Sequence, residues 1–263
     1  MKIATWNVNS IRTRQSIVRD WLQQNPVEVL CVQETKTIDG DFPREPFESL
    51  GYRVCVSGQK AYNGVAIFSR ILLDEVEIGF GAMLPAETVG DLDEQKRVIA
   101  ITANGLRVVN LYVPNGGEYE SDKYRYKLRW LKVLHEYIDR NRDRYPNLCV
   151  CGDFNIAPDD RDIHTPPGNK PIVGTTSIER EALKSILNLG LADPFRKFTE
   201  EGGIFSWWDY RGGSFPRNRG WRIDHHYLTP DLFDRTVSCQ IDVEPRKLPK
   251  PSDHAPVIVE WDD

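Results

Sequence analysis

Nine short runs rich in β-branched and aromatic residues recur along the whole chain: Ile3 to Val8, Val29 to Gln33, Tyr52 to Ser57, Gly64 to Ser69, Val98 to Thr102, Arg107 to Val113, Leu148 to Gly152, Trp221 to Leu228 and Ala255 to Trp261. Their lengths suit strands and are too short for packed helices. Three segments of helical period lie between them. The first covers about Arg14 to Gln24, with Ile17, Val18, Trp21 and Leu22 on one side and Pro26 as its stop. The second runs from Asp122 to Arg142 and turns Leu128, Leu131, Leu134 and Ile138 inward. The third opens at Thr176, whose hydroxyl fits a capping box with the Glu179 carboxylate, and stops at Gly190. Alternation of this kind, with no repeat or low-complexity tract, predicts one continuous α/β domain over residues 1–263.

A chain of 263 residues that is 40% hydrophobic can bury a large core, which excludes a disordered tail or a fibre. The balance of 34 basic and 39 acidic residues, net charge −5, excludes a histone-like positive coat but leaves room for a local basic face. No apolar stretch approaches a membrane span, and the opening MKIATWNVNSIRTR lacks the apolar core of a signal peptide. A soluble protein that stays where it is made is therefore expected. Of the five cysteines, four lie in apolar runs and read as small core hydrophobes. Cys149 and Cys151 share a strand face, but no second ligand pair at zinc spacing follows.

The connections over residues 79–93, 157–175 and 200–219 are long for a compact domain, and such segments usually serve function. The stretch FSWWDYRGGSFPRNRGWR holds four arginines and one aspartate among Phe205, Trp207, Trp208, Tyr210, Phe215 and Trp221. Arginine reaches phosphates while aromatic rings stack on bases or sugars. The plainer alternative is tryptophans filling core gaps and solvated arginines. A second basic stretch, KYRYKLRWLK at residues 123–132, reads as a solvated helix face.

Polar residues recur where apolar strands end. Asn7 follows IATW, Glu34 follows VLCVQ, Asp153 and Asn155 follow LCVCG, Tyr112 and Asn115 close VVNLYVPN, and Asp253 and His254 precede APVIVEW. Asp224 sits within WRIDHHYL, where an aspartate needs a charged or donor partner. One of its neighbours His225 and His226 must face away from it. These types suit phosphodiester hydrolysis by water, which needs a base, stabilisation of the charge gathering on phosphate, and help for the departing alkoxide. Glu34, Asn7 and Asp253 offer oxygens to a hard divalent ion. His254 held by Asp224 would stay protonated and hold a phosphate oxygen, Asp153 is the candidate base, Asn155 fixes the water or phosphate, and Tyr112 bonds the phosphate or leaving oxygen.

Taken together, WNVNSIR, QETK, GYRVCVSGQKAYNGVAIFSR, NLYVPNG, GDFNIAPDDRD, FSWWDYR, RGWRID and PSDHAP resemble the exonuclease III branch of the DNase I-like endonuclease, exonuclease and phosphatase superfamily, over residues 1–261 and in the family's order. The resemblance implies a four-layer α/β sandwich, two packed mixed β-sheets flanked by helices. It implies a Mg²⁺- or Mn²⁺-dependent endonuclease of base-excision repair that cuts double-stranded DNA 5′ to abasic sites, leaving a 3′-hydroxyl. Action on blocked 3′ ends as exonuclease and phosphodiesterase, and sometimes RNase H activity, belongs with it. Residue by residue, it makes Glu34 the principal metal ligand with Asn7 and Asp253 close by, and places Asp153, Asn155 and His254 in the same metal-contacting set. Asp153 activates water, Asn155 and Tyr112 orient the phosphate, and His254 paired with Asp224 stabilises the transition state. Asn115 and Arg211 contact substrate, and Trp207, Trp221 and Ile223 form the pocket for an extruded abasic sugar.

Three positions depart from the family pattern: Asn9, where some relatives carry aspartate, the variable loop at residues 161–176, and the polar DHHY run. Two rival readings remain at this stage. A superfamily enzyme acting on a small phosphoester would have no use for the arginine and aromatic loop. A catalytically decayed DNA-binding module would not need every polar position filled.

Overall fold

The computed structural model describes residues 1–165, 168 and 171–262. Among them the apolar runs become eleven strands: β1 (Lys2–Asn7), β2 (Val29–Gln33), β3 (Arg53–Ser57), β4 (Val65–Ser69), β5 (Glu75–Ile78), β6 (Val98–Ala103), β7 (Leu106–Tyr112), β8 (Asn147–Asp153), β9 (Asp224–Leu228), β10 (Thr236–Ile241) and β11 (Val257–Trp261). The helices are α1 (Ile11–Gln24), α2 (Glu45–Glu48), α3 (Ala86–Val89), α4 (Asp122–Arg144), α5 (Ser177–Leu187), α6 (Phe195–Phe198) and α7 (Pro230–Arg235). One sheet has the order β10-β11-β1-β2-β4-β3 and the other β5-β6-β7-β8-β9. Each is mixed, with β1–β2 and β7–β8 parallel and the remaining pairs antiparallel.

Alternation within each strand separates the layers. Along β1, Ile3 points between the sheets and packs with Val29, Ile101, Val108 and Cys151, while Ala4 and Trp6 turn outward under α1. Trp21 of α1 meets Trp6 edge-on, ring centroids 5.6 Å apart. The other outer face is covered by α4 and α5, through Trp130, Leu134, Ile138, Leu183 and Ile186. The result is the expected four-layer sandwich of two mixed sheets between helices. Thr176 and Glu179 form the predicted capping box at the start of α5.

Polar side chains bridge the two sheets near one end. Asn110 of β7 donates from Nδ2 to the carbonyls of Val32 (3.1 Å) and Ala66 (2.9 Å) in the opposite sheet, and Gln33 Nε2 donates to Asn110 Oδ1 (2.7 Å). Buried amides without partners would be expensive, so these bonds fix how the sheets register. Close approach matters at Gly152, whose φ is 146° and where a Cβ would lie 2.0 Å from the Leu111 carbonyl oxygen. Only glycine lets β8 lie against β7 immediately before Asp153.

Two strands escape the sequence pattern. β5 and β10 are outermost in their sheets and carry half-exposed residues, so neither reads as an apolar run. The predicted strand from Trp221 begins only at Asp224, which stands at the strand's start and not its middle. Trp221 instead forms isolated bridges with Ile163 and Trp207. Within the variable loop at residues 161–176, residues 166, 167, 169 and 170 lie outside the described residues.

Candidate active site

Parallel pairing delivers like ends of neighbouring strands to one rim. Glu34 directly follows β2 beside Asn7 at the end of β1, Asp153 ends β8 beside Tyr112 of β7, and Asp224 opens β9 directly opposite Asp153. His254, just before β11, is bridged to Trp207. Glu34, Asp153 and His254 each present a ligand atom within 4.8 Å of the others, although they are spread over nearly the whole chain.

Hydrogen bonds order the cluster. Asn7 Nδ2 donates to Glu34 Oε1 and to Asp153 Oδ2, both at 2.9 Å, while its Oδ1 accepts from the Asn9 amide at 3.0 Å. Asn7 thus steadies the two carboxylates, while its amide oxygen accepts from the Asn9 amide with one lone pair. Asp253 accepts from Asn9 Nδ2 (2.9 Å) and Trp207 Nε1 (3.1 Å). Lys36 Nζ lies 2.8 Å from Glu34 Oε2 and also donates to Asn9 Oδ1. Asn9, Glu34 and Asn155 all have left-handed backbones, with φ of 45°, 52° and 50°. Non-glycine residues are held there only where the surroundings dictate it, and such strain gathers at functional sites.

His254 Nδ1 is 2.8 Å from Asp224 Oδ2, which also accepts from Ser206 Oγ at 2.6 Å. His254 Nε2 lies 3.8 Å from Asp153 Oδ2. Burial opposes the imidazolium charge, but Asp224 and Asp153 outweigh it and raise the His254 pKa to about 10. Burial pushes Asp153 up to about 7, with Asp224 and Glu34 adding to the rise and His254 and Asn7 working against it. Glu34 goes the other way: its burial is overcome by Lys36, Asn7 and His254, which hold it below the usual carboxylate range. Burial and the neighbouring Glu34 and Asp153 charges keep the Tyr112 hydroxyl protonated well beyond its ordinary range.

A pocket of about 200 Å³ opens on this cluster. Glu34, Tyr112, Asn115, Asp153, Asn155, Asp253 and His254 form its polar wall, and Trp207, Trp221, Ile223 and Val173 its apolar wall. The two tryptophans meet edge-on, with ring centroids 5.8 Å apart. Asn155 donates from Nδ2 to the Val113 carbonyl (3.0 Å), accepts on Oδ1 from Asn115 Nδ2 (3.2 Å), and its own amide donates to Asp153 Oδ1 (2.9 Å). Asn7 and Asp224 stand behind the wall. Arg211 is elsewhere: it is exposed, pairs with Asp209 at 3.0 Å and does not line the pocket.

The arginine and aromatic loop divides between the two readings considered for it. Phe205 and Trp208 are core residues, and Phe215 and Trp208 pack around the Arg246 guanidinium, whereas Trp207 and Trp221 face the pocket. Both histidines of the DHHY run are buried; His225 is hydrogen-bonded to Ile156 O and Arg222. Sequence reading missed Ser206, Lys36 and Val173. A lone serine carries no signal, and the lysine of QETK gains meaning only once Glu34 is placed beside it.

The donor set is hard, with the Glu34 and Asp153 carboxylates foremost, and fits a divalent cation that prefers oxygen. His254 fits less well as a ligand, because with its pKa raised to about 10 its Nε2 carries a proton.

Residues 4–254 match the model of the endonuclease/exonuclease/phosphatase family. Exodeoxyribonuclease III of Haemophilus influenzae is 34% identical, over 99% of this chain and all of that protein. The structure of the Neisseria 3′ phosphatase NExo bound to product DNA hairpin superposes over the full length of both chains, with TM-score 0.94 and 41% identity. An AP endonuclease from Archaeoglobus fulgidus does so with TM-score 0.93 and 40% identity. By whole-length similarity and by the clustering of its polar strand ends at one rim, the chain belongs to the endonuclease/exonuclease/phosphatase family.

Proposed function

We propose that the protein is a Mg²⁺- or Mn²⁺-dependent DNA repair nuclease that incises double-stranded DNA 5′ to abasic sites, with 3′-5′ exonuclease and 3′-phosphodiesterase activity, acting as a cytoplasmic monomer. The carrying observation is one small pocket lined both by Glu34, Asp153 and His254 and by Trp207, Trp221 and Ile223. The relatives named for exodeoxyribonuclease III, AP endonuclease and 3′ phosphatase support it. An abasic deoxyribose is small and unstacked, so extruding it is easier than extruding a paired nucleotide, and an aromatic slot favours it.

Asp153 takes the proton of the attacking water, because a carboxylate raised to about 7 is both ionised and basic near neutral pH. The His254 imidazolium, held in line by Asp224 and Ser206, faces the negative charge that grows on the phosphoryl oxygens. Tyr112 donates a hydrogen bond from its hydroxyl to the phosphate or leaving oxygen, and Asn155 with Asn115 fixes the phosphate. Glu34 and Asp153, with Asp253 nearby, would hold the metal ion, which supplies Lewis-acid stabilisation of phosphate charge when bound.

A duplex with a single tetrahydrofuran abasic analogue tests the reading. Incision at the lesion is expected with Mg²⁺ and is lost in EDTA, while an undamaged duplex stays intact internally. Equal degradation of both duplexes from their ends would make the protein chiefly an exonuclease, and DNA binding without cleavage would make it a binding module.

The titrations give a second expected result. The base must be deprotonated and His254 protonated, so kcat/KM should rise with pH as Asp153 ionises and fall as His254 loses its proton near 10. Bound Mg²⁺ will draw the rising limb below the metal-free value of about 7. Initial rates across a pH series measure this, and a profile with no descending limb would remove the imidazolium from the reaction.

A further inference from the structure

Lys127 lies in the basic stretch expected to be a solvated helix face, yet its side chain is fully buried. Its Nζ sits 2.6 Å from Glu179 Oε1, itself fully buried, and donates to the carbonyl oxygens of Asn155 (2.8 Å) and Asn115 (3.4 Å). An ammonium has three protons, and here each has an acceptor. Two of those acceptors belong to residues lining the catalytic pocket.

Glu179 extends the contact to a third segment. Its carboxylate accepts from the amides of Gly174 (2.8 Å) and Thr176 (3.2 Å) and from the Thr176 hydroxyl (2.7 Å). Gly174 is packed so closely that a Cβ there would lie 3.0 Å from the Asn155 carbonyl oxygen and 2.9 Å from the Trp221 ring. The adjoining Val173 lines the pocket. The pair therefore joins α4, α5 and three loops of the catalytic rim.

Buried ion pairs are poor sources of stability, since packed apolar residues of similar volume do as well or better. Here the ammonium does what an apolar side chain cannot. It holds the carbonyl of Asn155, whose left-handed backbone directs its side chain to Val113 and Asn115 and its amide to Asp153.

We propose that Lys127, charge-balanced by Glu179, is a positioning residue for catalysis that sets Asn155 and Asn115 against the scissile phosphate without touching substrate. The proposal rests on the nuclease reading above for its effect on rate, though not for its effect on structure. Lys127→Met leaves Glu179 buried and unpaired, so its melting temperature should fall by several degrees. Lys127→Met combined with Glu179→Gln removes both charges while keeping an acceptor for Gly174 and Thr176, and should regain most of that loss. Its kcat on the tetrahydrofuran duplex should nonetheless stay about tenfold or more below wild type, as in the single variant, with KM changed less than about threefold. A double variant with wild-type kcat, or a kcat that follows melting temperature across the two variants, would overturn the proposal. The Ile156 amide, which shares its peptide unit with the Asn155 carbonyl, supplies a readout without DNA or metal. Its NMR resonance should move in the double variant, and an unmoved resonance overturns the proposal. If the wild type does not incise the duplex, the nuclease reading fails, while the Ile156 resonance still decides whether Lys127 holds the Asn155 carbonyl.

Discussion

Asp153→Asn should lower single-turnover incision of an abasic duplex by about 10³-fold or more, while DNA affinity changes little. The amide is nearly isosteric and keeps one acceptor oxygen for the Asn155 backbone, losing only the bond from Asn7, so the strand end and pocket should persist. What disappears is the ability to take a proton. Glu34→Ala makes the instructive comparison, because Glu34 is the outermost of the clustered carboxylates and is proposed mainly to hold the metal ion. Raising Mg²⁺ should restore part of its activity by mass action and far less of that lost in Asp153→Asn, where the base itself is gone. Equal rescue of both variants would show that the two carboxylates do not divide the work as proposed.

The largest expected loss of stability follows from Arg222→Met. The guanidinium is buried between Asp162 (Nε to Oδ1, 2.5 Å) and Asp193 (Nη2 to Oδ2, 2.8 Å) and contacts His225 Nδ1 at 3.1 Å. Removing it leaves Asp193 with the Phe195 amide and no cation, and Asp162 with Arg196 and the Asp159 amide. Breaking a buried pair of this kind costs about 3–5 kcal/mol. For a chain of this size that is roughly a 10 °C fall in melting temperature, measurable by calorimetry. Arg222→Lys should recover only part, since an ammonium cannot span both carboxylates as the planar fork does. A fall below about 3 °C for Arg222→Met would mean that the network contributes little. Because Asp224 follows Arg222 by two residues, activity should fail at a lower temperature in the variant as well.

The strands with dense apolar runs could be read from the sequence to within a few residues, because burial on both faces leaves an unmistakable composition. Strands β5 and β10 could not, being edges wetted on one side. The polar strand ends were legible for a topological reason: parallel β1 and β2 exit on Asn7 and Glu34 and parallel β7 and β8 on Tyr112 and Asp153, and the two packed sheets bring these ends to one rim. The long-range ion pairs were not legible. Lys127 differs in no local way from the exposed basic residues around it, and only the packing of α5 on α4 reveals Glu179 as its partner. Arg211 shows the converse, a basic residue in an attractive loop whose nearest charge is its own neighbour Asp209.

Strand β11 lies beside β1, so the segment carrying Asp253 and His254 is inserted next to the first strand of the same sheet. Synthesis runs in one direction, and a ribosome-bound chain can already hold Asn7, Glu34, Tyr112 and Asp153 while still lacking His254, the group proposed to face phosphate charge. Nascent chains should therefore be unable to nick nucleic acid around them until the segment carrying Asp253 and His254 has emerged and β11 has paired with β1.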